Sequence, residues 1–280
     1  MFDKFKVIGR AIFTQAKEPV AVVIPTHKSK FSDCEKISLE RCIKILGAHP
    51  IIFALPEGLK LADIPVSKKG IKCEYFDKKY FQSGGAYNIF LMSTEFYERF
   101  LNYEYILIHQ LDSFVFKDEL LYWCDQGFDY IGAPWFSPSC DDAFWHMMNI
   151  LKLTWLKRIL QKLGYSLDKK VGNGGFSLRC TRKCIFALWP FRKDGVRFWK
   201  FGEDMFWTRF SKLYFPFLKI ADWRSALKFS VETGPGKYQK IDESNPPFGC
   251  HAWMRPDKIH LWYSIFRKLG HDIQVYNYDQ

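Results

Sequence analysis

With 280 residues, 48% hydrophobic and 18% aromatic, the chain is too apolar to be disordered and long enough for one large core or, with difficulty, two small ones. Its formal net charge of +11 points to a polyanionic partner: nucleic acid, anionic lipid headgroups or a phosphorylated substrate. Eight cysteines with no C-x-x-C pair and no histidine cluster beside them argue against a zinc site and for the reduced, buried thiols of a cytosolic protein. No stretch approaches the ~20 apolar residues of a membrane span. Asp3, Lys4, Lys6 and Arg10 interrupt what would be the apolar core of a signal peptide.

In chain order, residues 1–17 form an amphipathic helix with Phe2, Phe5, Ile8, Ile12 and Phe13 near one face. It either lies on anionic lipid or docks on the body of the protein. Pro19 to Thr26 is a β-branched strand stopped by Pro25, Phe31 to Leu46 has helical periodicity, and strands follow at His49 to Leu55 and Ile71 to Phe76. This β-α-β-loop-β order predicts a mostly parallel sheet. Gln82 to Asn88 opens a helix running to about Phe100, which feeds the apolar strand Tyr105 to His109. Asp118 to Cys124 is a short helix and Tyr130 to Trp135 another strand end. Residues 137–170 form a basic amphipathic insertion: a membrane contact, an acceptor lid, or a helix packed on the domain. Val171 to Arg179 is a glycine-rich bend entering a strand, and a helix follows Gly202-Glu203-Asp204 as far as Tyr214. With no repeat, low-complexity tract or linker, residues 1–280 read as a single domain.

Asp112 stands just past the carboxyl end of the Tyr105 strand, where open α/β sheets gather ligands. Strand-end aspartates also cap turns, so the residue alone decides nothing. Glu203 and Asp204 are adjacent acids at a turn, where one can face a cleft; they equally suit the start of the following helix. His251, in Gly-Cys-His-Ala-Trp, is a metal ligand or a satisfied core histidine. Asn173-Gly174-Gly175 lacks the spacing of a P-loop or dinucleotide fingerprint, but as a bend it leaves room for a sugar ring.

Taken in order, several runs resemble bacterial glycosyltransferases of the GT-A (nucleotide-diphospho-sugar transferase) fold that build polysaccharide and lipopolysaccharide. They are Tyr87-Asn88, Gln110-Leu111-Asp112 within Tyr105 to Phe116, Asp129 to Trp135, Val171 to Arg179, Glu203-Asp204, Phe229 to Glu232, and Pro247 to Ala252. Gly-Asn-Gly-Gly-Phe-Ser-Leu-Arg followed by Gly-Glu-Asp is also similar to the β-1,4-galactosyltransferase pattern. The resemblance implies an α/β, GT-A-like fold with a mostly parallel central sheet flanked by helices. It makes Asp112 the surviving carboxylate of an Asp-x-Asp element holding Mn²⁺ (or Mg²⁺) on a donor diphosphate, with His251 completing the coordination. Gln110 stands at the first Asp position, where an amide oxygen cannot neutralise a cation. Pro25, Thr26, Tyr87 and Asn88 would line the base and ribose pocket, Gly174 and Gly175 would border the sugar, and Asp204, or else Glu203, would be the general base.

The expected activity is therefore metal-dependent, inverting sugar transfer from a UDP-linked donor to a hydroxyl of a cell-surface glycan or lipid-linked oligosaccharide. The expected location is cytoplasmic, peripheral on the inner face of the plasma membrane, with an anionic membrane surface as a partner and no nucleic acid. A catalytically silent nucleotide- or carbohydrate-binding module on the same fold is the alternative.

Overall fold

The computed structural model describes residues 2–62, 71–135, 155, 171–191, 202–211, 215–232, 241–271 and 273. The expected insertion at 137–170 lies outside them except for Trp155, and so does the stretch 212–214 at the end of the helix expected after Asp204. The first elements are α1 (Phe2–Phe13), β1 (Glu18–Pro25), α2 (Asp33–Leu46), β2 (Ile51–Pro56) and β3 (Ile71–Phe76). Next come α3 (Gly84–Leu91), α4 (Thr94–Glu98), β4 (Tyr103–His109), β5 (Ser113–Val115), α5 (Leu120–Asp125), β6 (Tyr130–Gly132) and β7 (Phe176–Cys180). The remainder are α6 (Thr181–Leu188), α7 (Glu203–Met205), α8 (Trp223–Phe229), β8 (Ser230–Val231), β9 (Gly249–His251) and α9 (Tyr263–Lys268).

Six strands form a central sheet in the order β3-β2-β1-β4-β7-β6. The neighbours β3, β2, β1 and β4 run parallel, whereas β7 is antiparallel to both β4 and β6. The expected α/β architecture, a mostly parallel sheet flanked by helices, is what the chain adopts. Both faces of the sheet are covered, which explains why its strands read as unbroken apolar runs. Ala21, Val23, Ile52, Ala54, Ile106 and Ile108 pack into one core, and the alternating Val22, Ile24, Phe53, Leu55 and Leu107 into the other. The α2 helix starts with a reciprocal cap: the Glu35 N–H donates to Ser32 Oγ (3.3 Å) and the Ser32 N–H to Glu35 Oε2 (2.8 Å).

One local expectation is corrected. The helix expected from Gln82 to Phe100 is two helices, because Ser93 ends one and begins the other. Its hydroxyl donates to the Phe90 carbonyl (2.8 Å) and accepts from the Phe96 N–H (3.2 Å). In α1, the inward side is carried by Val7 and Ala11, while Ile12 and Phe13 are 57% and 86% exposed. Arg182 ties the end of that helix to the body through the Thr14 and Leu101 carbonyls. No helix among the described residues is long and apolar enough to cross a membrane.

A second sheet, in the order β5-β9-β8, has no counterpart among the expected elements. Its strands are two or three residues long, and it is held by a separate core of Phe114, Cys250, Trp253, Trp262 and Phe266. The register pairs Ser113 with His251 and Val231 with Cys250.

Candidate active site

The chain leaves β1 for β2 on one side and later returns to form β4 on the other, so the strand order reverses between β1 and β4. A crevice opens at such a point beyond the carboxyl ends of the strands. Here it is a cavity of about 560 Å³ bordered by Pro25 and Thr26 at the end of β1, Gln110 and Asp112 after β4, and Tyr87 on α3. The N-terminus of α3 also lines it through Ser83 and Gly84, with Ser83 Oγ accepting from the Ala86 N–H (3.1 Å). Backbone N–H groups at a helix start favour anionic ligands.

The small sheet delivers the next residue. Because β5 pairs with β9 at Ser113 and His251, the imidazole arrives beside the carboxylate that precedes β5. His251 Nε2 lies 3.2 Å from Asp112 Oδ1 and 3.0 Å from Gln110 Oε1. Gln110 is oriented from behind, its Nε2 donating to the Tyr87 hydroxyl (2.8 Å). The other ring nitrogen, Nδ1, faces Asn173 Nδ2 at 2.8 Å and Glu232 Oε1 at 3.4 Å. Glu232, one residue past β8, is itself gripped: Trp135 Nε1 donates to its Oε2 (2.7 Å) and Lys258 Nζ lies 3.9 Å from its Oε1.

Pairing of β7 with β4 brings the glycine bend to the same place, with the Gln110 N–H donating to the Gly175 carbonyl (2.9 Å). Asn173 Oδ1 accepts from the N–H groups of Gly175 (3.0 Å) and Phe176 (3.2 Å), which fixes the bend and the direction of the Asn173 amide. Both glycines are required by close approach. A Cβ on Gly175 would collide with His251 Nε2 and stand 2.6 Å from Gln110 Oε1; one on Gly174 would collide with Glu203.

Behind the bend sits Arg179, with no exposed surface. Its guanidinium donates to Glu203 Oε1 (2.8 Å), the Tyr97 hydroxyl (2.9 Å), Ser177 Oγ (3.0 Å) and the Gly174 carbonyl (3.2 Å). Glu203 is thus the buried counter-ion of Arg179, and its N–H also donates to Asn88 Oδ1 (3.4 Å). Asp204 faces differently: its Oδ1 accepts only from the Met205 N–H of its own helix start (2.7 Å) among the bonds described.

These surroundings sort the ionisable groups. Burial, and then the neighbouring charge of Glu203, push the Asp204 carboxyl up to about 7. Burial also acts against the charged form of Asp112, but the charge and hydrogen bond of His251 together outweigh it and hold that carboxyl below its usual range. Glu232 is likewise held low against its burial, by His251, Lys258 and Trp135. Burial alone would depress His251; Asp112 and Glu232 reverse this and lift it to about 9.

The donor set suits a divalent cation. A 37% exposed Asp112 carboxylate and the Gln110 amide oxygen both lie against His251 Nε2, and the last two border the space that a Gly175 Cβ would fill. Oxygen and imidazole together suit Mn²⁺ better than Mg²⁺. Among the described residues no three His, Cys, Asp or Glu side chains form a cage, so a cation here would lean on Gln110 and on oxygens of its ligand.

Of the residues singled out in the sequence, Pro25, Thr26, Tyr87, Gln110 and Asp112 border the cavity. Gly175 and His251 adjoin Gln110 and Asp112, while Gly174, Asn88 and Glu203 are joined by direct contact. Asn88 does not border the cavity but steadies Glu203. Asn173, Arg179, Glu232, Trp135 and Lys258 were not assigned roles from the sequence. Glu232 directly follows the short strand Ser230–Val231 much as Asp112 follows the end of β4, and that shared position could have found it.

A family model described as "Protein of unknown function (DUF5672)" matches residues 70–251. No curated protein matches the chain. Among solved structures, it is similar to the mannosyltransferase Ktr4p from S. cerevisiae, at 11% identity over 72% of each chain with a TM-score of 0.44. Ktr4p in complex with GDP gives 12% identity over the same shares and a TM-score of 0.40. The galactosyltransferase LgtC, in complex with donor and acceptor sugar analogs, gives 11% identity over 92% of this chain and 98% of that one, with a TM-score of 0.48. Likeness at this level adds nothing to what the site geometry supports.

Proposed function

The chain belongs to that family of unknown function, and from its site we propose that it is a glycosyltransferase: it moves a sugar from a nucleoside diphosphate, UDP by preference, to an acceptor hydroxyl. The observation that carries this reading is the convergence, at the cavity between β1 and β4, of Asp112 paired with His251 beside the Gly174-Gly175 bend; Asp204 does not border the cavity but stands within reach of the charges of Glu203 and Glu232, which with its burial bring it to about 7.

Each part has a task. The cavity beyond Pro25 and Thr26 takes the nucleoside, and the α3 N-terminus meets the negative charge of the diphosphate. Gly174 and Gly175 form the floor under the sugar, since only a bare backbone can pass this close to Glu203 on one side and to His251 and Gln110 on the other. Asp204 removes the proton of the acceptor hydroxyl as that oxygen attacks the anomeric carbon and the diphosphate departs. A base titrating near 7 is unprotonated often enough, and basic enough, to do so at neutral pH. A single displacement of this kind inverts the anomeric configuration. Asp112, Gln110 and His251 would hold a divalent cation, which when bound supplies charge to the leaving diphosphate. The acceptor in this reading is a glycan or lipid-linked oligosaccharide reached from the cytoplasmic side by one domain.

The test is a panel of nucleotide sugars with and without Mn²⁺, followed by thermal shift and by donor hydrolysis. A ligand that binds only the folded state raises the melting temperature. A UDP-sugar that stabilises the protein and is slowly hydrolysed, both effects removed by EDTA, is expected. No response to any nucleotide sugar under either condition refutes the proposal.

A further inference from the structure

A histidine can hold a cation at Nε2 only if that nitrogen carries no proton, so the ring's remaining proton must sit on Nδ1 and needs an acceptor there. Two groups face His251 Nδ1, and they make opposite demands. Asn173 is the nearer, at 2.8 Å, but its direction is fixed: its Oδ1 is occupied by the N–H groups of Gly175 and Phe176, so it presents Nδ2, a donor, to the ring. A donor at Nδ1 favours the form with the proton on Nε2, where Asp112 Oδ1 and Gln110 Oε1 accept it. Glu232 Oε1, at 3.4 Å, is an acceptor and favours a proton on Nδ1. Its carboxylate is built to stay in place, with Trp135 Nε1 holding the other oxygen at 2.7 Å and Lys258 Nζ standing 3.9 Å away.

We propose that Glu232 is the positioning residue that makes His251 a cation ligand, by holding the imidazole proton at Nδ1 against the opposing N–H of Asn173. This rests on the proposed cation site. On loading, the proton of Nε2 goes to solvent, or crosses to Nδ1 if that nitrogen is bare, and the Nδ1 proton is held on Glu232 Oε1. The Nδ1–Glu232 contact shortens from 3.4 Å and the Asn173 N–H gives way. Asn173 also anchors the Gly174-Gly175 bend, so cation loading is coupled to the floor on which the donor sugar lies.

The experiment measures Mn²⁺ affinity of the purified full chain by calorimetry, for the wild type, Glu232→Gln and Glu232→Asp. It also records nitrogen NMR of ¹⁵N-histidine-labelled protein as diamagnetic Mg²⁺ is added. The amide of Glu232→Gln keeps the shape of the carboxylate but loses its charge, and binding is expected to weaken about 10- to 100-fold. Glu232→Asp recovers part of that loss. The His251 signals should show Nε2 losing its proton and Nδ1 keeping one in the wild type at saturating cation. A wild type that binds Mn²⁺ while Glu232→Gln binds it equally well overturns the role of Glu232 alone. A wild type that binds neither ion overturns the cation site as well. A residue that only packs would lower the melting temperature of Glu232→Gln and leave its cation affinity unchanged, which also refutes the proposal.

Discussion

Gly175→Ala is the sharpest perturbation that this site allows. Gly175 has no left-handed backbone angle, so alanine meets no conformational penalty there and the whole effect is steric. The added methyl would overlap His251 Nε2 and stand 2.6 Å from Gln110 Oε1. Neither neighbour is the free end of a mobile chain. His251 is held in β9 and contacted by Asp112, Asn173 and Glu232, and Gln110 is held by Tyr87. One of them must therefore leave its position, or the bend must lift away from β4 and strain the bond from the Gln110 N–H to the Gly175 carbonyl. Overpacking of this kind costs about 1–3 kcal/mol. At about 2–4 °C per kcal/mol for a chain of this size, the melting temperature should fall by about 2–12 °C. Function should suffer more, because misplacing reacting groups by about 1 Å costs on the order of 100-fold in rate. Donor hydrolysis and Mn²⁺ binding, measured beside circular dichroism, should thus be lost from a protein that is still folded. The control is Gly9→Ala in α1, which does not line the cavity and where a methyl meets nothing within 4 Å, so that both properties should stay at wild-type levels. Wild-type hydrolysis by Gly175→Ala would mean that Gln110, Gly175 and His251 do not form one working site.

Asp204→Asn should abolish transfer while sparing nucleotide binding, which also separates an enzyme from a silent binding module. Because folding raises the Asp204 carboxyl from 3.8 to about 7, the folded state holds the extra proton between those values, and stability from this group is lost as the pH rises through that window. At about 1.4 kcal/mol per pH unit the cost at pH 8 is at most about 4 kcal/mol, so Asp204→Asn should be the more stable protein there and equal to wild type near pH 3; chemical denaturation across pH decides it. The wild-type rate should correspondingly rise with pH through about 7. Arg179→Met leaves Glu203 charged and buried without its partner and should cost about 3–5 kcal/mol, whereas the double change Arg179→Met with Glu203→Gln should recover much of it, as denaturant midpoints would show.

The parts that could be read from the sequence are those whose signal is local. Long apolar runs gave β1, β2 and β4, and an acid just past such a run marked Asp112, because a fully covered strand must be apolar and its carboxyl end must meet solvent or ligand. The glycines at 174 and 175 read as a bend with room for a sugar ring, whereas what they permit in the fold is the close approach of Glu203, His251 and Gln110. What stayed hidden depends on register. The ladder from Ser113 to Val115 against Gly249 to His251 is too short to give an alternation pattern, yet it alone decides that Asp112 and His251 are neighbours. The break between α3 and α4 was missed because one serine satisfies both helix ends inside an otherwise apolar periodic run. Arg179 was the hardest to see, since a buried arginine is acceptable only beside acceptors that lie elsewhere in the chain: Glu203, Tyr97 and the Gly174 carbonyl. That dependence also explains the division of labour between the two adjacent acids. Once Glu203 is committed to neutralising Arg179, its negative charge, with the burial of the site, opposes ionisation of Asp204 and brings that carboxyl to the pH at which a base is most useful.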